Sequence, residues 1–182
     1  MKRILLVILL VSFSINAQKS FTSLSELRSM HYKDQVTCSS SDRQNLIENY
    51  IEVDSLNENV LEYINYLRSL VNNNKLSLDS AACSYAKSYA KTMSKSDIFQ
   101  HSDIQNTPYL CENILYIDMH IKSVRLQSLP ARIVSLWSNS PGHNLNLNYP
   151  AKKAGVGIAY NIIDDCTIRV YAVYVATEPI YK

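Results

Sequence analysis

An α+β domain, with helices on both faces of a small and mainly antiparallel sheet, is the fold class the sequence predicts. Three observations predict it. Two segments in the first half carry apolar residues at helical spacing, the last third alternates at strand spacing around a two-aspartate turn, and a short apolar run lies between them.

The first helix is expected from Ser55, where Ser55 and Glu58 fit the S-x-x-E capping pattern that satisfies two orphan backbone donors. Val60, Ile64, Leu67 and Val71 then share one face, and the Asn72-Asn73-Asn74 run ends the helix. Asp79 is placed to cap a second helix whose buried stripe is Ala82, Ala86, Tyr89, Ala90 and Met93. Its small residues let a neighbour approach closely. Ile98 to His101 leave that helix for a polar loop, and Glu112 to Ile117 form a buried strand. Pro130 to Ser138 make a third helix, with Pro130 in the first turn and Ile133, Leu136 and Trp137 facing inward. Trp137 is read as a core anchor. Ser140 and Pro141 occupy N-cap and first-turn positions of a further helix, which would turn the Ser140 hydroxyl toward the N–H groups of residues 142 and 143. The chain ends in a hairpin. Val156, Ile158, Tyr160 and Ile162 alternate in one arm, Ile168, Val170, Ala172 and Tyr174 in the other, and Asp164-Asp165 marks the turn. All three glycines fall in 140–157, at Gly142, Gly155 and Gly157, a concentration expected where backbone approaches backbone.

Residues 1–17 have the layout of a secretory leader: Lys2 and Arg3, an uncharged apolar core from Ile4 to Phe13, and a small-residue end with the cut after Ala17. The apolar core is too short to span a bilayer, and no later stretch reaches the required length. Lys2 and Arg3 are the only charged residues removed with the leader, so the formal charge falls from +2 to zero. A neutral chain without a Lys/Arg cluster excludes the electrostatic footprint of a nucleic-acid binder. Residues 18–52 read as a polar, irregular N-terminal extension with a loop at Ser39-Ser40-Ser41-Asp42, ahead of a domain at 53–182. Cys38, Cys83, Cys111 and Cys166 all lie in the exported part, and none forms a C-x-x-C pair. Two disulfides are expected in an oxidising compartment, with three connectivities open.

Six fragments then occur in order: Asn65-x-x-Arg68, Ala82 to Met93, Phe99-x-His101-Ser102, Glu112-Asn113-Ile114, Trp137-x-x-Ser140-Pro141-Gly142-His143, and Gly155-Val156-Gly157. In these the chain resembles the CAP superfamily (cysteine-rich secretory proteins, antigen 5 and pathogenesis-related proteins), in its bacterial SCP-like branch. The resemblance implies a three-layer α-β-α sandwich with a cleft lined by His101, His143 and Glu112. Where members with a full tetrad carry a second glutamate, this chain has Ser140. Where glycine usually precedes the Glu-Asn-Ile motif, it has Cys111. Placement on the family fold favours the pairings Cys83–Cys111 and Cys38–Cys166.

The expected ligand cleft therefore comprises His101, Glu112, His143, Ser140 and Asn113. Two imidazoles and a carboxylate suffice to hold Zn2+ or another divalent metal, with a fourth position for water, so His101, Glu112 and His143 are the candidate ligands. Placing His143 near a helix N-terminus favours its neutral, ligating form. The leading functional reading is a secreted or periplasmic binding module for an extracellular lipid, polysaccharide or protein, because the resembling family is known more for binding than for a shared catalytic activity. The thirteen tyrosines are candidates for an aromatic contact patch. One alternative is a metal-assisted or Ser/His hydrolase with Ser140 as nucleophile, His143 or His101 as base and Glu112 as orienting acid. It lacks the strained G-x-S-x-G turn. A structural envelope protein with an inert cleft is the remaining alternative. His31 and His120 match no motif and are read as surface residues.

Overall fold

The computed structural model describes residues 38–51, 55–96, 98–122 and 129–180, with Tyr50 described by its backbone alone. The expected leader, its expected cleavage point and His31 lie outside the described residues. In chain order the elements are α1 (Ser40–Leu46) running into a π-helical turn (Ile47–Ile51), α2 (Leu56–Leu70), β1 (Ser77–Leu78) and α3 (Ser80–Ser96). A 3-10 turn (Ile104–Asn106), β2 (Cys111–His120), α4 (Leu129–Ser138), α5 (Pro141–Leu147), β3 (Ala151–Ile162) and β4 (Thr167–Pro179) follow. The sheet order is β1-β3-β4-β2. β1 joins β3 in parallel through two residues only; the long β3–β4 and β4–β2 ladders are antiparallel, and Ile163 to Cys166 connect the hairpin.

Alternation along β4 builds the three layers. Ile168, Val170, Ala172, Tyr174 and Ala176 face the main core with α2, α4 and α5, whereas Tyr171, Val173 and Val175 face α3. A strand covered on both sides reads as an almost unbroken apolar run, which is what 168–176 is. On the second face, Ala82, Ala86 and Ala90 lie over Gly155, Gly157 and Ala159. A Cβ at Gly155 would sit 2.1 Å from the Ala82 carbonyl carbon, and one at Gly157 2.0 Å from the Lys87 nitrogen. Neither glycine has a positive φ. Their role is to let two backbones touch, and α3 consequently runs alongside β3. Gly142 differs from them: nothing lies within 4 Å of where its Cβ would be.

The motif at Asn65 and Arg68 anchors the chain after α2. Asn65 Nδ2 donates to the Leu76 carbonyl (2.9 Å) while its Oδ1 accepts the Leu76 N–H (2.8 Å), so the amide imitates a strand neighbour. Arg68, fully buried, donates from Nε to Asn74 O (2.8 Å) and from Nη1 to Leu147 O (2.7 Å) and Tyr149 O (2.9 Å). Three carbonyls thus satisfy the guanidinium, and burial lowers its pKa.

Several local expectations are corrected. Ser55 makes no capping hydrogen bond. The capping box sits instead at Ser39 and Asp42, opening α1 inside the segment expected to be irregular, and Leu46, Ile47 and Ile51 reach the core. Leu136 is 47% exposed, because the buried stripe of α4 is Ile133, Val134 and Trp137 and places it on the solvent flank. Val71 is likewise exposed, lying past the end of α2. Cys38–Cys166 is formed, but Cys83 and Cys111 are free thiols. Cys111 points into the α2/α4/α5 core, whereas Cys83 belongs to the helix on the opposite face, so the sheet separates them.

Candidate functional site

Glu112 and Asn113 are consecutive on β2, an outer strand of the sheet, so their side chains leave on opposite faces. Glu112 leaves on the α3 side. Its side chain is 1% exposed, and a buried carboxylate needs partners. It has three: Oε1 accepts from His101 Nδ1 (2.8 Å) and from the Ser102 N–H (3.0 Å), and Oε2 accepts from the Ser102 hydroxyl (2.6 Å). Ser102 Oγ in turn accepts from Tyr85 Oη (2.8 Å), and Tyr85 packs against Tyr109 with ring centroids 4.5 Å apart. Tyr89 fixes the same loop by donating to the Gln100 carbonyl (2.8 Å).

A carboxylate can only accept, so His101 donates from Nδ1, which leaves Nε2 as the open position of the ring. The His101 side chain is 58% exposed. This is the arrangement in which a carboxylate orients an imidazole for a ligand on its far nitrogen.

Asn113 leaves on the other face and holds α5. Its Nδ2 donates to the His143 carbonyl (2.9 Å), and its Oδ1 accepts from Asn146 Nδ2 (2.8 Å), which also donates to the Glu112 carbonyl (2.9 Å). His143, half-buried on α5, thereby comes to 6.5 Å from His101, centroid to centroid. Its pKa is lowered, first by burial and then by the nearby His101 imidazole, both of which disfavour its charged form.

The residues expected in the cleft are thus divided in role. His101 and His143 face one another across the end of β2; Glu112 positions the first, and Asn113 positions the second through the backbone of α5. Ser140 is the N-cap residue of α5 by backbone position, with its carbonyl accepting the Asn144 N–H (2.8 Å), but its hydroxyl makes no capping bond. That corrects the orientation expected for it. Among the described residues no hydrogen bond joins Ser140 Oγ to either imidazole. Tyr85 and Asn146 were not singled out by sequence, and Ser102 stood only in the Phe99-x-His101-Ser102 fragment, without a role.

As a metal donor set, these groups fit loosely. The ligand atoms of His101, Glu112 and His143 do not all lie within 4.8 Å of one another, and both Glu112 oxygens are engaged. Two imidazoles remain, with ring centroids 6.5 Å apart, fewer than the three protein ligands of typical catalytic zinc. A second group, Cys38, His120 and Cys166, does bring its ligand atoms within 4.8 Å, and His120 is half-buried beside that disulfide. The disulfide occupies both sulfurs, so the group offers no thiolate while oxidised.

No helix among the described residues is long and apolar enough to cross a membrane. No curated protein sequence matches the chain. Among solved structures it is similar to an extracellular protein containing an SCP domain from Bacillus anthracis, at 18% identity and TM-score 0.50, covering 69% of this chain and 41% of that one. The chain therefore spans less than half of that protein. It is also similar to MpPR-1i (16% identity, TM-score 0.51, 72% of this chain and 93% of the other) and to BmVAL-1 (16%, 0.52, 71% and 81%). Likeness at these identities shows the shared fold. Residues 61–171 match the family model described as the cysteine-rich secretory protein family, CAP. That match takes in more than half of the chain and contains both histidines, Glu112 and Asn113, and the chain belongs to the CAP family.

Proposed function

We propose that this CAP-family chain is a secreted binding module whose ligand face is the His101/His143 pair, with Glu112 and Asn113 as the residues that position the two rings. The observation that carries the reading is the exposed His101 ring held through Nδ1 by a buried Glu112, 6.5 Å from His143. A carboxylate behind an imidazole fixes its tautomer and ring orientation and leaves Nε2 open for a ligand. The extracellular setting rests on the leader-like N-terminus and on the family's secretory character. An extracellular lipid, polysaccharide or protein is the expected ligand.

A divalent metal such as Zn2+ would be held by His101 and His143 and would supply an electrophilic centre for an oxygen of the ligand. The protein's own contribution is orientation: Glu112 keeps His101 in one tautomer, and part-burial keeps His143 deprotonated. A Ser/His hydrolase draws no support from the geometry, since among the described residues no serine hydroxyl is hydrogen-bonded to either ring.

The test is a calorimetric zinc titration of the mature, oxidised protein beside His101→Ala/His143→Ala and Glu112→Gln. One-site binding in the parent, lost in the double variant and weakened about 10- to 100-fold in Glu112→Gln, is expected. Equal binding by parent and double variant would remove the histidines as metal ligands. Absence of binding in the parent would confine the cleft to metal-free recognition, to be pursued with lipids and candidate protein partners.

A further inference from the structure

At the end of β2 opposite Glu112, the fold brings Cys38, His120 and Cys166 together, each half-buried, with ligand atoms within 4.8 Å of one another. His120 ends β2, and the ladder sets it opposite Thr167, the residue after Cys166. The Ile121 N–H continues that ladder to the Cys166 carbonyl (2.8 Å), and Asp164 Oδ1 accepts the Cys166 N–H (2.8 Å). The backbone itself therefore fixes the hairpin connection that carries Cys166. Cys38 arrives from another part of the chain: it precedes Ser39, which forms the capping box of α1 with Asp42. Leu46, Ile47 and Ile51 seat that segment in the core, and Arg43 Nη1 meets Asp165 Oδ1 at 3.4 Å. The disulfide is thus not the only tie between the Cys38 end and the hairpin.

That placement gains a chemistry once the S–S bond is opened. A dithiol reductant attacks one sulfur as its thiolate; the electron pair and two protons pass to Cys38 and Cys166, and the reductant closes its own disulfide. Two thiols and an imidazole then stand at one point of the fold. Two thiolates and a neutral imidazole are a ligand set for tetrahedral zinc, with the fourth position left for water. Zinc displaces one proton from each thiol, and the two thiolate charges balance the ion. Bonds of about 2.3 Å to sulfur set the two sulfurs about 3.8 Å apart, which side-chain rotation reaches from Cα atoms 5.2 Å apart. The Lys122 N–H reaches His120 Nδ1 at 3.4 Å, a long bond that a metal on that nitrogen would replace. Soft sulfur donors select zinc over magnesium or calcium. A disulfide oxidant runs the exchange backwards, leaving as two thiols while the Cys38–Cys166 bond re-forms and zinc is released.

We propose that Cys38, His120 and Cys166 form a redox-gated zinc site, closed as a disulfide when oxidised and holding Zn2+ once a dithiol has reduced it. The site is independent of the His101/His143 reading, since it uses none of those residues and lies at the other end of β2.

Zinc titration of the mature chain carrying His101→Ala, His143→Ala and Cys83→Ser tests it, because that background removes the other histidine pair and the half-buried free thiol. Oxidised protein is compared with protein reduced by a dithiol and desalted without air, each with and without His120→Ala. The expected result is one-site binding in the reduced protein only. His120→Ala should weaken it by at least the roughly 10- to 100-fold that loss of an outer-shell partner costs. Cobalt in place of zinc should give a thiolate charge-transfer band, and zinc should raise the melting temperature of the reduced protein alone. In the chain without these substitutions, reduction should add one zinc equivalent. Equal affinity in reduced and oxidised protein would overturn the proposal. Equal affinity with and without His120→Ala would do the same, and is what thiols of an unfolded chain would give. A reduced protein that binds no zinc, including one that unfolds on reduction and is not refolded by the ion, would also overturn it.

Discussion

Replacing Gly157 by alanine tests the closest approach in the fold. The added Cβ would lie 2.0 Å from the Lys87 nitrogen, 2.2 Å from the Ala86 carbonyl carbon and 2.5 Å from the Lys87 Cα. All three are helix backbone, which cannot swing aside as a side chain would. Ordinary contact begins near 3.4 Å, so α3 and β3 must part by about 1.4 Å at that point. A gap of only 0.5–1 Å forfeits roughly a quarter to a half of each dispersion contact. The gap here would open over Ala82, Ala86, Ala90 and Met93 together. Overpacking usually costs about 1–3 kcal/mol, and two rigid backbones put this site at or above about 3 kcal/mol. Against a total of about 5–15 kcal/mol that is a large share. For a domain of this size it lowers Tm by about 6–12 °C. Thermal melts followed by far-UV circular dichroism would measure it, with Gly142→Ala as the control that should stay level with the parent or rise slightly. A Gly157→Ala protein melting within about 2 °C of the parent would refute the close-contact account.

Other perturbations test separate parts of the fold. Cys38→Ser/Cys166→Ser opens a crosslink with a sequence separation of 128 and should cost about 2–5 kcal/mol in urea denaturation; a loss below about 1 kcal/mol would show that the link does not clamp the domain. Tyr174→Phe should be neutral or stabilising, because among the described residues the buried hydroxyl has no hydrogen-bond partner, and a loss above about 1 kcal/mol would reveal one. The Cys111 thiol, pushed up to about 11 by burial, should resist iodoacetamide at about pH 8 in the folded protein; rapid labelling would contradict the placement. His143 titrates lower when folded than its ordinary value of 6.5 because its charged form is disfavoured. The unfolded chain therefore holds more protons between the lowered value and 6.5, and stability should rise with pH through that window. His143→Gln should flatten that slope in urea midpoints; an unchanged slope would assign it to other groups.

Helices on both faces of the sheet were legible from the order of helical and alternating segments, and the three-layer sandwich was implied by the family resemblance. The cover on both faces of β4 was not read, because its second apolar face, Tyr171, Val173 and Val175, was not separated from the first. The α1 helix was not read, because its capping box uses Asp42 in place of glutamate and sits in a serine run that looks like a loop. Ser55 was over-read: its backbone is already in the helical region, so its hydroxyl has no capping task. Pairing Cys83 with Cys111 fails for a reason invisible to spacing, namely that the sheet lies between them. At the site, the residue types were legible but their division of labour was not. Glu112 reads as a ligand from its company; only the two oxygens committed to His101 and Ser102 show it to be a support.

The two histidines belong to different outer layers, His101 to the loop pinned against α3 and His143 to the helix pinned beneath the opposite face. Their spacing is transmitted through one peptide step of β2, from Glu112 to Asn113. A molecule that grips both rings would therefore act as a rivet through the sandwich. Its binding should be felt far from the rings, as slower hydrogen exchange in α3 and α5 together, because neither outer layer could then lift from the sheet alone.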